Sequence, residues 1–511
     1  MQMRLERLLQ GLGAEEFEGD PGLEITGLAY DSRRVRPGHL FVALKGHLLD
    51  GRRFIRSAVE NGAVAVVSDE TEGIPPGAAR IRVPDPRAAL SRLAVTFYHA
   101  PFEGMTLTAV TGTNGKTTTS YLLEAILSAA GRRAGVIGTI GYRMPGKALP
   151  APVTTPESLD LMRILREMAD AGVTDGVLEV SSHALAQGRV RDCPFRVAVF
   201  TNLTRDHLDY HGTMDAYFEA KSRLFLGSGG AGRPQQAVIN GDDPWGRKLA
   251  KRAECPVWTY GLSPDRDVRA ADIRMSMRGL SAILATPAGQ MTVKSALMGD
   301  FNIYNILAAT AAALCLDIAP ESIVSGIGNL GGVPGRLERV ENARSLPIIV
   351  DYAHTPDALQ KALSALRPLV KGRLVTVFGC GGDRDTGKRR EMGRVAGEHS
   401  DLVIVTSDNP RSEAPARIAE QIASGLNDCG WRRIGFPEKG TFRRAEYVVE
   451  LDRARAIRMA VEAARKGDLV LVAGKGHEDY QIIGNHRRHF DDREVAAAAA
   501  SGEGGAGAGV G

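Results

Sequence analysis

Residues 106–120, T-L-T-A-V-T-G-T-N-G-K-T-T-T-S, constrain the fold more than any other stretch of the chain. An apolar, β-branched run leads into a glycine-punctuated turn and then into residues that open a helix, which is the layout of a phosphate cradle. Gly112 and Gly115 let the backbone turn tightly and aim its N–H groups inward, and the helix N-terminus adds its partial positive charge. Lys116 is placed to reach outer phosphates, and the Thr117 hydroxyl to sit on a bridging Mg2+. Val110 stands where the general G-x-x-x-x-G-K-[ST] pattern has its first glycine, so the shorter G-T-N-G-K-T-T is the more particular signature. An ordinary strand-to-helix turn would not need hydroxyls and a lysine at these places.

At 511 residues the chain is too long for one core and suggests about three domains. Residues 1–105 alternate short apolar runs with polar turns and read as a small α/β unit. Its Y-D-S-R (30–33) and K-G-H-L-L-D-G (45–51) segments fall where ligand-contacting loops belong. Residues 106–334 repeat strand, loop, helix through L-T-A-V, R-A-G-V-I-G, D-G-V-L-E-V, R-V-A-V-F-T and Q-A-V-I-N. That alternation predicts a mostly parallel, doubly wound sheet whose ligands gather at the carboxyl ends of its strands. Residues 265–297 are strand-like and turn-rich, and an apolar helix follows. The boundary falls near G-G-V-P-G-R (331–336). Residues 335–500 again alternate strand and helix, and an Ala/Gly-rich tail, 501–511, is expected to be disordered.

Composition excludes several classes. A net charge of +4 without a Lys/Arg block gives no reason to expect nucleic acid. Five scattered cysteines without a C-x-x-C pair indicate neither a disulfide framework nor a zinc site. The N-terminus reads as a short amphipathic helix and not a signal peptide, and the apolar run 306–316 is too short to span a bilayer, so a cytoplasmic protein without membrane insertion is expected.

Three places carry chemistry beyond the cradle. Glu179, Ser181, Ser182 and His183 follow one central strand, and T-N-L-T-R-D-H-L-D-Y-H follows another, so both face the cradle's crevice. In the helix 214–225, Met214, Tyr217, Phe218, Leu224 and Phe225 share an apolar face with Lys221 in its middle, while Asp215, Glu219 and Arg223 lie opposite. Such a lysine usually snorkels; the sharper alternative is that its amine is chemically altered. In the third unit, four hydrophobic runs end in V-D-Y-A-H-T-P-D, F-G-C-G-G-D-R-D, S-D-N-P-R and A-G-K-G-H-E-D-Y, as expected of one shared crevice.

Taken together, G-T-N-G-K-T-T, L-E-V-S-S-H-A-L, T-N-L-T-R-D-H-L-D-Y-H-G, V-D-Y-A-H-T-P-D, G-C-G-G-D-R-D, D-N-P-R and G-K-G-H-E-D-Y-Q resemble the Mur ligase family over nearly the whole chain, in family order. The resemblance implies an α/β protein with a UDP-binding N-terminal domain, a central P-loop ATPase domain and a Rossmann-like C-terminal domain for an amino acid. It implies a carboxylate activated by ATP as an acyl phosphate and attacked by an amine. Its nearest branch joins meso-diaminopimelate to UDP-N-acetylmuramoyl-L-alanyl-D-glutamate in peptidoglycan synthesis. A monomer is expected. Gly112, Thr113, Asn114, Gly115, Lys116, Thr117 and Thr118 would cradle ATP, joined by Asn302, Arg336, Asp351 and His354 from the hinge and third domain. Thr117 and Glu179 would hold one Mg2+; His207 and a carbamylated Lys221 would serve a second.

By the same resemblance, Tyr30, Ser32, His47, Leu48 and Leu49 would contact the UDP end. Thr154, Thr155, Ser181, Gln187 and Arg189 would hold the muramoyl-dipeptide; Pro156 replaces a glycine found in some members. Arg411 and Arg384 would bind the carboxylate that diaminopimelate has and lysine lacks. Asp408, Asn409, the Gly474 backbone and Glu478 would take the ammonium, with Pro410 lining the same pocket. A lysine-adding ligase, a folate polyglutamate ligase and a nucleotide switch are the rival readings; the third-domain strand ends are more machinery than a switch requires.

Overall fold

The computed structural model describes residues 1–46, 50–227, 232–435 and 443–501. The expected tail beyond Ser501 lies outside them. Three sheets organise the chain, each with helices over its faces.

The N-terminal sheet has five strands in the order Glu16–Glu18, Ala79–Arg82, Ala63–Ser68, His39–Val42, Gly27–Ala29. Only the Glu16–Glu18 edge is antiparallel. Helix Pro86–Phe97 closes one side; Asp85 caps it through Arg87 and Ala88 N–H, and proline at its first position needs no hydrogen bond there. The amphipathic start of the chain forms a short helix, Leu5–Leu9, with Leu5 and Leu8 buried.

The central sheet has eleven strands. It is parallel from Ala134–Ile137 through Asp175–Glu179, Thr106–Thr111, Phe195–Phe200, Gln236–Asn240 and Val257–Gly261 to Val268–Ser276. Both faces are covered, as a parallel sheet requires. Leu107 and Ala109 enter one core cluster, and Val110 enters the other with Leu122 and Ile126 of helix Lys116–Ala129. Antiparallel hairpins extend both edges. Tyr142–Met144 with Lys147–Leu149 turns around Pro145 and Gly146, and the meander Val268–Ser276, Gly279–Thr286, Gly289–Ser295 occupies the turn-rich segment. The apolar run after it is a buried helix, Phe301–Cys315. No helix among the described residues is long and apolar enough to cross a membrane.

After strand Thr106–Thr111 the chain builds to one side, to Ala134–Ile137 and back to Asp175–Glu179, then crosses to Phe195–Phe200 on the other. The order reverses beside the glycine loop, where open α/β sheets form a ligand crevice.

The C-terminal sheet has seven strands. Ile348–Asp351, Leu469–Ala473, Leu374–Phe378 and Leu402–Val405 are consecutive neighbours and mutually parallel. The four polar strand ends read from the sequence therefore share one edge of one sheet.

Candidate active site

The glycine loop is shaped by its neighbours. Gly112 has φ of 147°, and a Cβ there would lie 1.8 Å from Thr201 Oγ1; Gly115 has φ of 88°, and its Cβ would lie 2.3 Å from Asn305 Oδ1. A side chain at Gly112 would strike Thr201, just past the end of strand Phe195–Phe200, and one at Gly115 would strike Asn305 on helix Phe301–Cys315. The Asn114 N–H donates to Asn202 Oδ1 at 3.0 Å, so T-N-L-T fixes the loop from outside. Lys116 Nζ, held by the carbonyls of Gly112 (3.0 Å) and Thr113 (2.9 Å), stays over the loop, and burial lowers its pKa. Thr118 is buried in the first turn of the helix.

Glu179 is almost wholly buried at the end of its strand. Its carboxylate accepts from Thr117 Oγ1 at 2.9 Å and from Thr139 Oγ1 at 2.8 Å. Glu179 and Thr117 present hard oxygen donors side by side, a fit for Mg2+ completed by phosphate oxygens and water. Among the described residues no group of three or more His, Cys, Asp or Glu is placed to hold a metal ion.

Lys221, 1% exposed on helix Met214–Leu226, does not snorkel. Its Nζ donates to Gly112 O at 2.9 Å and lies 4.8 Å from the Tyr217 ring centre. Burial, and then the neighbouring Lys116, drive its pKa well down. A buried amine that burial makes hard to protonate is one able to react as the free base. His207, left-handed at φ of 52°, sets its ring 4.9 Å from His183 and 6.0 Å from Tyr217. Burial, with His183, Lys116 and Lys221 adding to it against Asp206, lowers His207 to about 4.

A hydrogen-bonded chain runs from this crevice toward the N-terminal domain. Thr139 and Thr154 hydroxyls meet at 3.1 Å; Thr155 Oγ1 donates to Glu179 O at 2.8 Å and accepts from Ser181 N at 3.0 Å. Arg189 donates to Gln187 Oε1 at 2.7 Å and Thr155 O at 2.8 Å. Tyr30 lies beyond, its hydroxyl donating to Asp160 Oδ2 at 2.6 Å; Ser32 is buried beside it. His47, Leu48 and Leu49 lie outside the described residues.

The third domain faces the same crevice. Arg336 reaches Thr117 Oγ1 at 3.5 Å and stacks 4.8 Å over Tyr352, while its buried Nε has no partner among the described residues. Asp351 is buried and accepts from Leu337 N at 2.7 Å; burial raises its pKa. Burial lowers that of His354, whose Nδ1 meets Tyr352 O at 2.8 Å. Asn302 Oδ1 accepts from Asn305, which packs on Gly115.

Farther along the sheet edge, Asn409 Nδ2 donates to Glu478 Oε2 at 2.9 Å, and a Cβ on Gly474, φ of 116°, would lie 2.7 Å from Asp408 Oδ2. Pro410 is buried. Arg411 is left-handed at φ of 52°, and its Nη1 donates to Gly382 O at 2.8 Å. A Cβ on Gly381 would lie 3.1 Å from Arg411 Nη1 and 3.9 Å from Arg384 Cγ, so the two arginines converge over a residue with no side chain.

Sequence reading gave no role to four residues found here. Asp357, in H-T-P-D, bridges the domains by accepting from Asn114 Nδ2 at 3.0 Å and Thr204 Oγ1 at 3.2 Å. Lys475, fully buried in G-K-G-H-E, holds Glu478 at 3.0 Å. Arg389 pairs with Glu413 at 2.8 Å and donates to Gly381 O, tying the G-C-G-G loop to the D-N-P-R loop. All but Arg389 stand inside or two residues beyond quoted motifs, which was the available signal.

Models described as Mur ligase family, catalytic domain; Mur ligase middle domain; and Mur ligase, glutamate ligase domain match residues 24–98, 110–313 and 335–476. A protein of Geobacter metallireducens named UDP-N-acetylmuramoyl-L-alanyl-D-glutamate–2,6-diaminopimelate ligase is 50% identical over 97% of this chain and 98% of its own length. The same-named protein of Gloeobacter violaceus is 47% identical over 97% of each. A solved structure of a ligase of that name superposes with a TM-score of 0.69 at 35% identity, covering 98% of this chain and 99% of that one. A folylpolyglutamate synthase of Mycobacterium tuberculosis, complexed with ADP and AMPPCP, shares the fold at 18% identity, with a TM-score of 0.59 over 80% of this chain and 93% of its own.

Proposed function

This chain belongs to the Mur ligase family, and from that premise we propose that it is a cytoplasmic, monomeric ligase joining meso-2,6-diaminopimelate to the D-glutamate γ-carboxylate of UDP-N-acetylmuramoyl-L-alanyl-D-glutamate at the expense of ATP, in peptidoglycan synthesis. The observation that carries the reading is that four parallel strand ends, Arg411, Asn409 and Glu478 among the residues after them, share one sheet edge, and that Arg336 and Asp357, flanking the first of those strands, reach Thr117 and Asn114 of the glycine-loop segment.

Two negatively charged reactants must meet. The glycine-loop N–H groups and the N-terminus of helix Lys116–Ala129 draw the polyphosphate in, and Lys116 moves from backbone carbonyls to phosphate oxygens. Thr117 and Glu179 would hold one Mg2+, and His207 with Lys221 as its carbamate would serve a second; bound there, the metal would supply charge screening between carboxylate and polyphosphate. Carbamate formation joins neutral Lys221 Nζ to CO2 with loss of one proton, which the depressed basicity favours.

Thr154, Thr155, Ser181, Gln187 and Arg189 hold the dipeptide, and Tyr30, Ser32 and the 47–49 segment its UDP end. A γ-carboxylate oxygen bonds to the γ-phosphorus as the bond to the β-phosphate oxygen breaks and ADP leaves with its electron pair. The amine of diaminopimelate then attacks the acyl carbon; phosphate departs and the nitrogen gives up a proton, leaving the amide. Arg336 is placed to stabilise charge on the transferring group. Asp408, Asn409, Gly474 and Glu478 orient the ammonium, and Arg411 with Arg384 the distal carboxylate.

ADP release, followed with the UDP-muramoyl-dipeptide present and diaminopimelate, lysine or no amino acid supplied, tests the reading. Release is expected only with diaminopimelate. Equal rates with lysine remove the specificity, and release without an amino acid overturns the ligase.

A further inference from the structure

Arg453 and Asp492 begin two successive helices, Arg453–Ala463 and Asp492–Ser501, and both side chains are wholly buried, at 0% exposure. Arg453 Nε and Nη2 donate to the two Asp492 carboxylate oxygens, each at 2.7 Å. The same guanidinium also donates to Ser407 O at 3.3 Å through Nη1 and to Ala473 O at 3.0 Å through Nη2. Those carbonyls belong to the residues immediately before Asp408 and before Gly474. One side chain therefore ties together the roots of the D-N-P-R and G-K-G-H-E loops.

Neither helix formation nor packing explains an arginine at this place. A cation at a helix N-terminus opposes the helix dipole, whereas Asp492 suits it. A buried ion pair stabilises no better than apolar side chains of similar volume. Burial works against the charged guanidinium, and Asp492, then Asp408 and Glu478, outweigh it. Beyond this tie the two loops also meet directly: Gln481 Nε2 donates to Asp408 O at 2.8 Å, Ile482 N to Asn409 Oδ1 at 2.9 Å and Asn409 Nδ2 to Glu478 Oε2 at 2.9 Å. These contacts depend on the two strand ends keeping a fixed separation.

We propose that Arg453, oriented by Asp492, is a positioning residue of the amino-acid pocket: it sets the distance between Asp408 and Gly474 and so the affinity for the incoming amino acid. The proposal rests on the diaminopimelate-ligase reading of that pocket. It needs Arg453 to act through Asp408, Asn409 and Glu478, without touching substrate.

The test compares full-length wild type with Arg453→Lys, Arg453→Met and the double variant Arg453→Met/Asp492→Leu. KM is measured separately for diaminopimelate, ATP and the UDP-muramoyl-dipeptide, and thermal midpoints alongside. Arg453→Met is expected to raise KM for diaminopimelate about 10- to 100-fold, the scale of misplacing a binding group by a fraction of an ångström, with the other two constants unchanged. Arg453→Lys, which reaches Asp492 and one carbonyl but not both, recovers part of the loss. The double variant removes the stranded charge, so it folds at least as stably as the single variant and keeps the raised diaminopimelate KM. A double variant with a normal diaminopimelate KM, or with all three constants rising in step, overturns the proposal. Wild type whose turnover ignores diaminopimelate overturns the substrate reading and this proposal together; wild type that saturates beside a double variant saturating at the same concentration overturns this proposal alone.

Discussion

Replacing Arg411 by glycine and, separately, by alanine divides what this residue costs the fold from what it contributes to recognition. Its backbone is left-handed at φ of 52°. For a residue with a Cβ that conformation costs about 1–2 kcal/mol, against which glycine's extra freedom in the unfolded chain sets roughly 0.5–1 kcal/mol. Both variants lose the hydrogen bond from Nη1 to Gly382 O, so the difference between them isolates the backbone. Arg411→Gly should be the more stable by roughly 0.5–1 kcal/mol, or about 0.5–1 °C in Tm for a chain of this length.

Recognition should not distinguish them. An arginine left without its carboxylate partner costs about 2–5 kcal/mol, which at about 1.4 kcal/mol per decade is roughly 30- to 4,000-fold preference for diaminopimelate over lysine. Both variants should lose most of that ratio of kcat/KM values and keep the KM for ATP. The assay is coupled ADP release with each amino acid, beside thermal unfolding of the same preparations. A ratio unchanged from wild type, an equal loss for ATP, or an alanine variant more stable than the glycine one would refute the reasoning.

Lys221→Ala should abolish turnover and be partly rescued by short carboxylic acids in the assay buffer; unchanged activity would dispose of its part in the site. Gly112→Ala places a Cβ 1.8 Å from Thr201 Oγ1, so equilibrium dialysis should show nucleotide binding lost. Burial lowers His207 and His211 from their ordinary 6.5 to about 4. Between those values the unfolded chain binds more protons, so stability is full above about pH 6.5 and falls as the pH drops toward 4. Denaturant titration across that range should show the loss, and His211→Gln should flatten it.

The parts of the site that were legible in the sequence are those whose signal is local. The glycine loop needs only a β-branched run, two glycines and a lysine in order, and Lys221 stood out because a charge interrupts an apolar helical face. The four polar strand ends were legible for the same reason. Their adjacency was not, since Leu469–Ala473 inserts between Ile348–Asp351 and Leu374–Phe378, which lie far earlier in the chain. Every side-chain pairing that depends on that order was hidden with it. Asp357 meets Asn114, Arg389 meets Glu413, and Arg453 meets Asp492 across long separations. The hairpin Tyr142–Leu149 was also hidden: its strands are three residues each, too short for alternation to register.

The central claim is that ATP and the peptide carboxylate react directly in one cleft. Labelling the D-glutamate γ-carboxylate of the UDP-muramoyl-dipeptide with 18O, running one turnover with ATP and diaminopimelate, and weighing the released phosphate tests it most directly. The account predicts one labelled oxygen carried from the carboxylate into each phosphate. Phosphate free of label, with the amide formed or not, would contradict it.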